Sequence, residues 1–551
     1  MAKSKLPKFI QRDSSLNRIN IPKNILATSY IGGGSHVAPM CEILIILMDR
    51  GYNVTLVAPG NFTAKSDFYR SIPQIITEEK SGFGVIANKE QLKKISFQKP
   101  DVKLMSDAFN RENYIKYYNL YRQTAEEINA DLLFCDHGMN HACFDLASKL
   151  EKPVVGFSSS PSFTITSPPY KSDPFFGCHV NMENESFYER FKCAIVIHLQ
   201  NIWTMTKFIY NLNNIRADLG VEPHWDPRGR INNILILLNT FPGYEIPSAM
   251  LPLHQEVGPI LPDTFPNLNP ELDSFLNAHP RTLYFALGTN IITSPQNIVT
   301  ILKSFLELIN QNIIDGVIWA TVKVDITELM PFSNINFPLS EILNNNYPHI
   351  HITKFAPQFA ILSHENTKIF LSHGGTISAY ESIYTATPIL ALPITSDHYG
   401  NSEKLVLAGI ALGISKLNLT VDDIILKIKR LLSEVSFKKN AERLQFIAKI
   451  NSNRKYKAAD LIEMMMNTAK YDGVKDENGN LRINNNVLQR DWITPDARMG
   501  FIQGKYIDVY GTFIIIVVAL VGGFNYILLK FIGFLYTKHK DRIRNSKSKK
   551  E

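Results

Sequence analysis

Thr367-Lys-Ile-Phe-Leu-Ser-His-Gly-Gly-Thr-Ile-Ser-Ala-Tyr-Glu-Ser-Ile-Tyr-Thr-Ala-Thr-Pro-Ile-Leu-Ala-Leu-Pro-Ile-Thr-Ser-Asp397 opens as an apolar strand over Ile369 to Leu371 and turns at Ser372-His373-Gly374-Gly375. It then runs about three helical turns from Thr376 and returns to a second apolar strand over Ile389 to Leu392. Strand, glycine turn, helix and strand in that order make one crossover unit of a parallel sheet. The first amides of such a helix have no partner inside it and the peptide dipoles add there, so the turn suits an anion such as a phosphate. The glycines let a ligand approach the backbone, His373 and Ser378 can add hydrogen bonds, and Glu381, about one turn on, can accept from sugar hydroxyls. Ordinary αβ turns share the pattern, so alone it marks a candidate nucleotide site and no more.

The same rhythm extends outward in both directions. Upstream lie a strand at Leu283 to Leu287 ending in Gly288-Thr289-Asn290, a helix over Asn297 to Asn310, and strands at Gly316 to Val322 and Ile350 to Lys354. Downstream, Thr420 is placed as an N-cap with Asp423 three residues on, and helices continue to about Ala469. An earlier series starts with a strand at Asn24 to Ser29, the turn Gly32-Gly33-Gly34-Ser35-His36, a helix from Val37 to about Arg50 and a strand at Val54 to Ala58. Further strands run from Asp131 to Cys135, ending at Asp136, and from Pro153 to Phe157, leading into Ser158-Ser159-Ser160-Pro161. Prolines crowd the interval from Pro242 to Pro280, which is read as a crossing linker because neither a long helix nor a central strand tolerates them. The expected architecture is therefore α/β, two open parallel sheets facing a cleft. Its boundaries are a polar segment 1–23, an N-terminal domain 24–260, a linker 261–280, a C-terminal domain 281–470, a juxtamembrane segment 471–509, an apolar helix 510–529 and a basic tail 530–551.

Composition excludes several classes. The net charge is +7, but Lys530 to Glu551 alone contributes eight basic and two acidic residues, which leaves a near-neutral body and no basic face for nucleic acid. Gly32 to His36 lacks the G-x-G-x-x-G spacing, and no acidic residue ends the following strand, which disfavours a nicotinamide oxidoreductase. Cys41, Cys135, Cys143, Cys178 and Cys193 have no zinc-type spacing and are read as buried apolar thiols; being odd in number, at least one is free or pairs outside the chain. The four sequons, at Asn53, Asn61, Asn184 and Asn418, are expected by chance in an Asn-rich chain. Tyr510 to Leu529 holds no charge and, at about 1.5 Å per residue, reaches roughly 30 Å, the depth of a bilayer core. No secretory apolar region stands in Met1 to Asn24. Phe191 to Leu219 is read as a core helix, with one wall of a greasy pocket near a membrane as the alternative.

Phe355-Ala-Pro-Gln358, Ser372-His-Gly-Gly-Thr-Ile-Ser-Ala-Tyr-Glu381 and Asp397-His-Tyr-Gly-Asn401, with Thr387-Pro388 between the last two, resemble the signature of the UDP-glycosyltransferase family, which includes the UDP-glucuronosyltransferases. Gly34-Ser35-His36-Val-Ala-Pro39, Asp136, Leu287-Gly288-Thr289 and the C-terminal span with its tail extend the likeness over nearly the whole chain; 64–120 matches nothing. The resemblance implies a GT-B fold and inverting, metal-independent transfer of glucose, galactose or glucuronate to a lipophilic hydroxyl acceptor, with the UDP-sugar as co-substrate and no cofactor. It implies His36 as general base and Asp136 as the carboxylate that holds the imidazole. Phe355, in place of the family's usual Trp, would stack on uracil, Gln358 would bond base or ribose, and Glu381 the ribose hydroxyls. Gly288, Thr289, His373, Gly375 and Ser378 would surround the diphosphate. Asp397 and His398 would reach the hexose; His398 replaces the family's usual Gln, and Thr376-Ile377 lacks the Asn often found there. A non-catalytic, ligand-binding relative is the alternative. The tail and the terminal Lys547-Ser-Lys549-Lys550 resemble an endoplasmic-reticulum retrieval signal. With no signal peptide seen, the body is either lumenal, with its start upstream or cryptic, or cytosolic on a tail anchor.

Overall fold

The structure is a computed structural model that describes residues 12, 16, 18, 21–99, 110–160, 170–226, 233–322, 324–332, 338–472, 474–475, 481–482 and 492–547. The chain forms two compact units, Met1–Gln489 and Arg490–Glu551.

The first unit holds two wholly parallel sheets. In the N-terminal one, β1 (Asn24–Thr28), β2 (Asn53–Ala58), β3 (Gln74–Ile76), β4 (Leu132–Asp136), β5 (Val154–Ser158), β6 (Leu235–Leu238) and β7 (His254–Glu256) stand in the order β3-β2-β1-β4-β5-β6-β7. In the C-terminal one, β8 (Thr282–Ala286), β9 (Gly316–Ala320), β10 (Ile350–Thr353), β11 (Thr367–Ser372), β12 (Ile389–Ala391) and β13 (Ala411–Gly413) stand in the order β10-β9-β8-β11-β12-β13. The central strands are buried along their whole length, because helices cover both faces; that is why their sequences read as continuous apolar runs. In both sheets the winding direction reverses once, at the β1/β4 pair and at the β8/β11 pair, and open parallel sheets place ligands beyond the strand ends at that point.

The helices that matter for function are, in chain order, α1 (Gly34–Asp49), α2 (Lys89–Phe97), α3 (Arg111–Glu127), α4 (His141–Lys149), α5 (Ile197–Asp218), α6 (Pro270–Ala278), α7 (Pro295–Asn310), α8 (Gln358–Ser363), α9 (Thr376–Thr385), α10 (His398–Leu407), α11 (Val421–Ser433), α12 (Val435–Asn451) and α13 (Arg454–Asp472). Leu26, Leu133 and Leu146 join the tyrosines of α3 in the N-terminal core, while Leu283, Phe285, Ile298, Phe305 and Trp319 build the C-terminal one. Thr420 caps α11 as expected, accepting from the Asp423 amide at 3.3 Å. The chain then crosses back: α13 packs on α1, with Lys455 on Glu42 at 2.9 Å and Glu463 held by Arg50 at 3.0 Å and by both donors of Arg18.

Three expectations change. The proline-dense interval is not all linker: it contributes edge strand β7 to the first sheet, and Pro270 opens α6 at a position where no amide bond is lost, behind the Asn269 cap. The cysteines are not all thiols, since Cys135–Cys143 and Cys178–Cys193 are disulfides and Cys41 alone is a buried thiol. The stretch from Phe191 is helical but not a core helix, because most of its large apolar side chains up to Tyr210 are exposed.

In the second unit, α14 (Ile507–Lys547) is one 41-residue helix. Its segment Ile507–Asn545 is long and apolar enough to cross a membrane and buries nothing. The helix continues through the basic residues past Leu529, and Lys549 and Lys550 lie outside the described residues.

Candidate active site

Strand β1 ends beneath a glycine turn that delivers His36 near the start of α1, and β4, its neighbour, ends in Asp136. The two meet at the switch point of the sheet: His36 Nδ1 lies 3.1 Å from Asp136 Oδ1. Asp136 is fully buried, while the His36 side chain keeps 21% of its surface exposed. Ser29 Oγ donates to the other carboxylate oxygen at 2.7 Å and accepts from the Gly32 amide at 3.0 Å, so the carboxylate cannot swing. Burial by itself would depress the imidazole pKa; the Asp136 charge and hydrogen bond, helped by Asp397, outweigh it and hold His36 above its ordinary value. A carboxylate on Nδ1–H leaves Nε2 as the basic nitrogen.

The second sheet places its candidates at its own switch point. Gly288 and Thr289 follow β8, and His373 and Gly375 follow β11. Gly375 is the N-cap of α9, and no side chain caps that helix, which leaves its first amides available to an anion. The buried His373 ring fills the space between the two glycines: a Cβ on Gly288, whose φ is +76°, would stand 2.7 Å from His373 Cε1, and one on Gly375 would also collide with the ring. Burial, reinforced by neighbouring His398, keeps His373 far below the usual imidazole pKa and therefore neutral.

Gln358, at the start of α8, donates through Nε2 to Ser378 Oγ at 3.1 Å and to Glu381 Oε2, while its Oε1 accepts from Tyr284 OH at 3.4 Å. Glu381 is buried on α9, and burial pushes its carboxyl up to about 7, with the Gln358 bond opposing the shift. Phe355 stands 72% exposed at the rim. Asp397 Oδ2 accepts from Thr376 Oγ1 at 3.0 Å and Asn401 Nδ2 at 2.8 Å. Burial, then nearby Lys416, lowers the His398 pKa to about 3; its Nδ1 accepts from the Thr395 amide at 3.3 Å, which leaves Nε2 as the N–H. The His373 and His398 rings meet edge to face at 4.6 Å.

One cavity of about 980 Å³ joins these groups; His36, Gly288, Thr289, Phe355, Gln358, His373, Gly375, Ser378, Glu381, Asp397 and His398 all line it. Asp136 does not; it stands behind His36. Ile377 is also on the wall, so the position without the usual Asn presents an aliphatic surface there.

Residues 178–467 match the family described as UDP-glucoronosyl and UDP-glucosyl transferase. The chain belongs to the UDP-glycosyltransferases. It is 28% identical over 534 residues to a UDP-glycosyltransferase of Talaromyces amestolkiae, covering 92% of this chain and 97% of that one. It is 31% identical over 365 residues to UDP-glycosyltransferase 1 of Phaeomoniella chlamydospora, covering 64% and 72%. Among solved structures it is similar to the glycotransferase of kitacinnamycin, with a TM-score of 0.56, 18% identity and coverage of 80% and 98%. It is also similar to Phytolacca americana UGT2 complexed with UDP-2fluoro-glucose and pterostilbene, with a TM-score of 0.52, 15% identity and coverage of 81% and 99%. The fold is GT-B, and family membership carries sugar transfer from a UDP-sugar.

In this UDP-glycosyltransferase several residues on or behind the cavity wall stand outside the sequence motifs. Ser29 carries no motif; its only signal is its place at the end of a strand beside Asp136. Tyr284 orients Gln358 from inside a plain apolar strand. The Asn290 side chain occupies the space that Cβ atoms on Gly33 and Gly82 would need, so the two halves meet there. Burial lowers the His137 pKa to about 4 and adds a further neutral imidazole to the wall. Phe68 comes from the stretch where no family motif is found.

Proposed function

We propose that the protein transfers a hexosyl group, with inversion, from a UDP-sugar to a hydroxyl of a lipophilic small molecule or lipid while α14 anchors it in a membrane. The observation that carries the proposal is the opening of the His36–Asp136 pair and the Gln358–Ser378–Glu381 group into one cavity. The acceptor oxygen attacks the anomeric carbon as His36 Nε2 takes its proton, and Asp136 supports the imidazolium that forms. The bond to UDP breaks on the opposite face, and the departing diphosphate is met by the open amides of α9 and by the Gly288-Thr289 turn, so backbone dipoles supply the stabilisation without calling on a metal. Phe355 stacks on the base, Gln358 and Glu381 hold base and ribose, and Asp397 with the His398 N–H selects the hexose. Phe62, Phe68, Met139, Phe144, Ile234 and Phe265 on the wall favour a lipophilic acceptor.

Two disulfides are the mark of an oxidising compartment, and with basic residues on the far end of α14 they favour a lumenal body on an endoplasmic-reticulum membrane.

The test is a mass-spectrometric product screen of UDP-glucose, UDP-galactose and UDP-glucuronate against lipophilic alcohols, phenols and sterols. One donor should yield a product whose new linkage is β, from an α-linked donor, and His398→Gln should change the donor ranking. No product from any pair, or an α linkage, would overturn the proposal.

A further inference from the structure

Phe187 to Phe191, a single π turn over Lys192–Val196 and α5 form one continuous helical stretch. Its inner side belongs to the protein: Leu212 and Ile215 enter the N-terminal core, and Phe208 packs on the His141 ring with centroids 5.8 Å apart. Its outer side is unlike that of a soluble helix. Phe187, Phe191, Leu199, Ile202, Trp203 and Tyr210 are all exposed, Trp203 to 79%. A helical period of 3.6 places these residues on about half of the circumference. A stripe of this size is larger than the scattered apolar residues of an ordinary surface and needs a partner.

Several features select a lipid surface over a protein. The exposed residues include Trp and Tyr, whose amphipathic rings favour the membrane–water boundary, and the exposed cations Arg190 and Lys207 are interspersed among them, complementary to acidic headgroups. The chain carries its own apolar helix of membrane-spanning length, so a bilayer is tethered to the body at high effective concentration. The stripe stands behind the acceptor wall: none of residues 187–210 lines the cavity, and Phe208 touches His141, which does.

We propose that the exposed face of residues 187–210 is a membrane-docking surface, seated at the headgroup–acyl boundary of the bilayer that α14 enters, which sets the acceptor side of the cavity beside lipid-dissolved acceptors. This rests on the proposed roles of α14 as a span and of a lipophilic acceptor. It adds a second, peripheral contact that feeds the site.

The full chain is reconstituted in vesicles of phosphatidylcholine and phosphatidylserine with plain or brominated acyl chains. Subtracting the emission of Trp203→Phe from that of the wild type isolates Trp203 among the four tryptophans. Its component should be blue-shifted and largely lost in brominated vesicles. Equal emission in both vesicles, or a component that follows protein concentration and so reports a second copy, would overturn the docking surface. In the activity arm, Ile202→Glu with Trp203→Glu should raise KM for a vesicle-borne acceptor on the order of tenfold and leave KM for the UDP-sugar and for a water-soluble acceptor unchanged. An unchanged KM for the vesicle-borne acceptor would count against it. The quenching arm needs no turnover, so the docking surface can fail or stand separately from the proposed reaction.

Discussion

His36 sits under opposing influences, burial against the carboxylate behind it, and their balance fixes where the enzyme works. Its pKa lies above the ordinary value of about 6.5. In the proposed reaction the neutral ring is the base, so activity should fall as pH drops through that raised value. Asp136→Asn removes the charge and lets burial win, so the acid limb of kcat/KM should move to lower pH while the plateau falls about 10²- to 10⁴-fold. A pH–rate profile of both forms reads this, and an unmoved limb would show that Asp136 does not set the imidazole. His36 in its glycine turn and Asp136 at its strand end could both be singled out in the sequence, and the structure brings them together. Ser29, which holds Asp136 at 2.7 Å, could not, because nothing in the local sequence reveals a contact 107 residues away.

Among the elements, the strands and their glycine turns could be read from the sequence, since a strand buried on both faces must be apolar throughout and a helix start after it must turn tightly. Strand β7 could not, because its existence depends on pairing with β6 and not on its own residues. The exposure of α5 was hidden for a related reason: periodicity shows that a helix is apolar, not what covers it. Cysteine pairing likewise waits on β4 lying beside α4. The proposed donor grip is a fit between elements, with His373 from the β11 turn against the β8 turn. Gly288→Ala should therefore push the ring off its seat, raise KM for the UDP-sugar about tenfold or more, and cost roughly 1–3 kcal/mol of stability from strain at a positive φ. Donor kinetics and thermal unfolding check this, and wild-type values in both would refute the seating role of His373.

At the scale of the molecule, the two halves are pinned by a buried cluster. Glu245, on the connection between β6 and β7, is bonded by Lys171 at 2.9 Å and by Lys404 of α10 at 2.7 Å, with Thr240 Oγ1 at 3.2 Å. Burial opposes the charge on Glu245, but the two ammonium groups prevail and hold its carboxyl at about 2. A depressed folded pKa means stability that is present above the unfolded value of about 4.3 and is lost as pH falls through about 2. Glu245→Gln leaves two lysines without their buried counter-charge and should lower stability by about 3–5 kcal/mol at neutral pH. It should also flatten this part of the acid dependence; unfolding followed against pH would expose an unaffected variant.

The chemistry assigned to the joined cavity is tested most directly by the rate of UDP release from the reconstituted full chain with its active donor and acceptor, comparing wild type with His36→Ala. Release should fall at least about 10²-fold in the variant while UDP-sugar still binds with near-wild-type affinity. Equal rates in the two proteins would contradict the role of His36 as the general base.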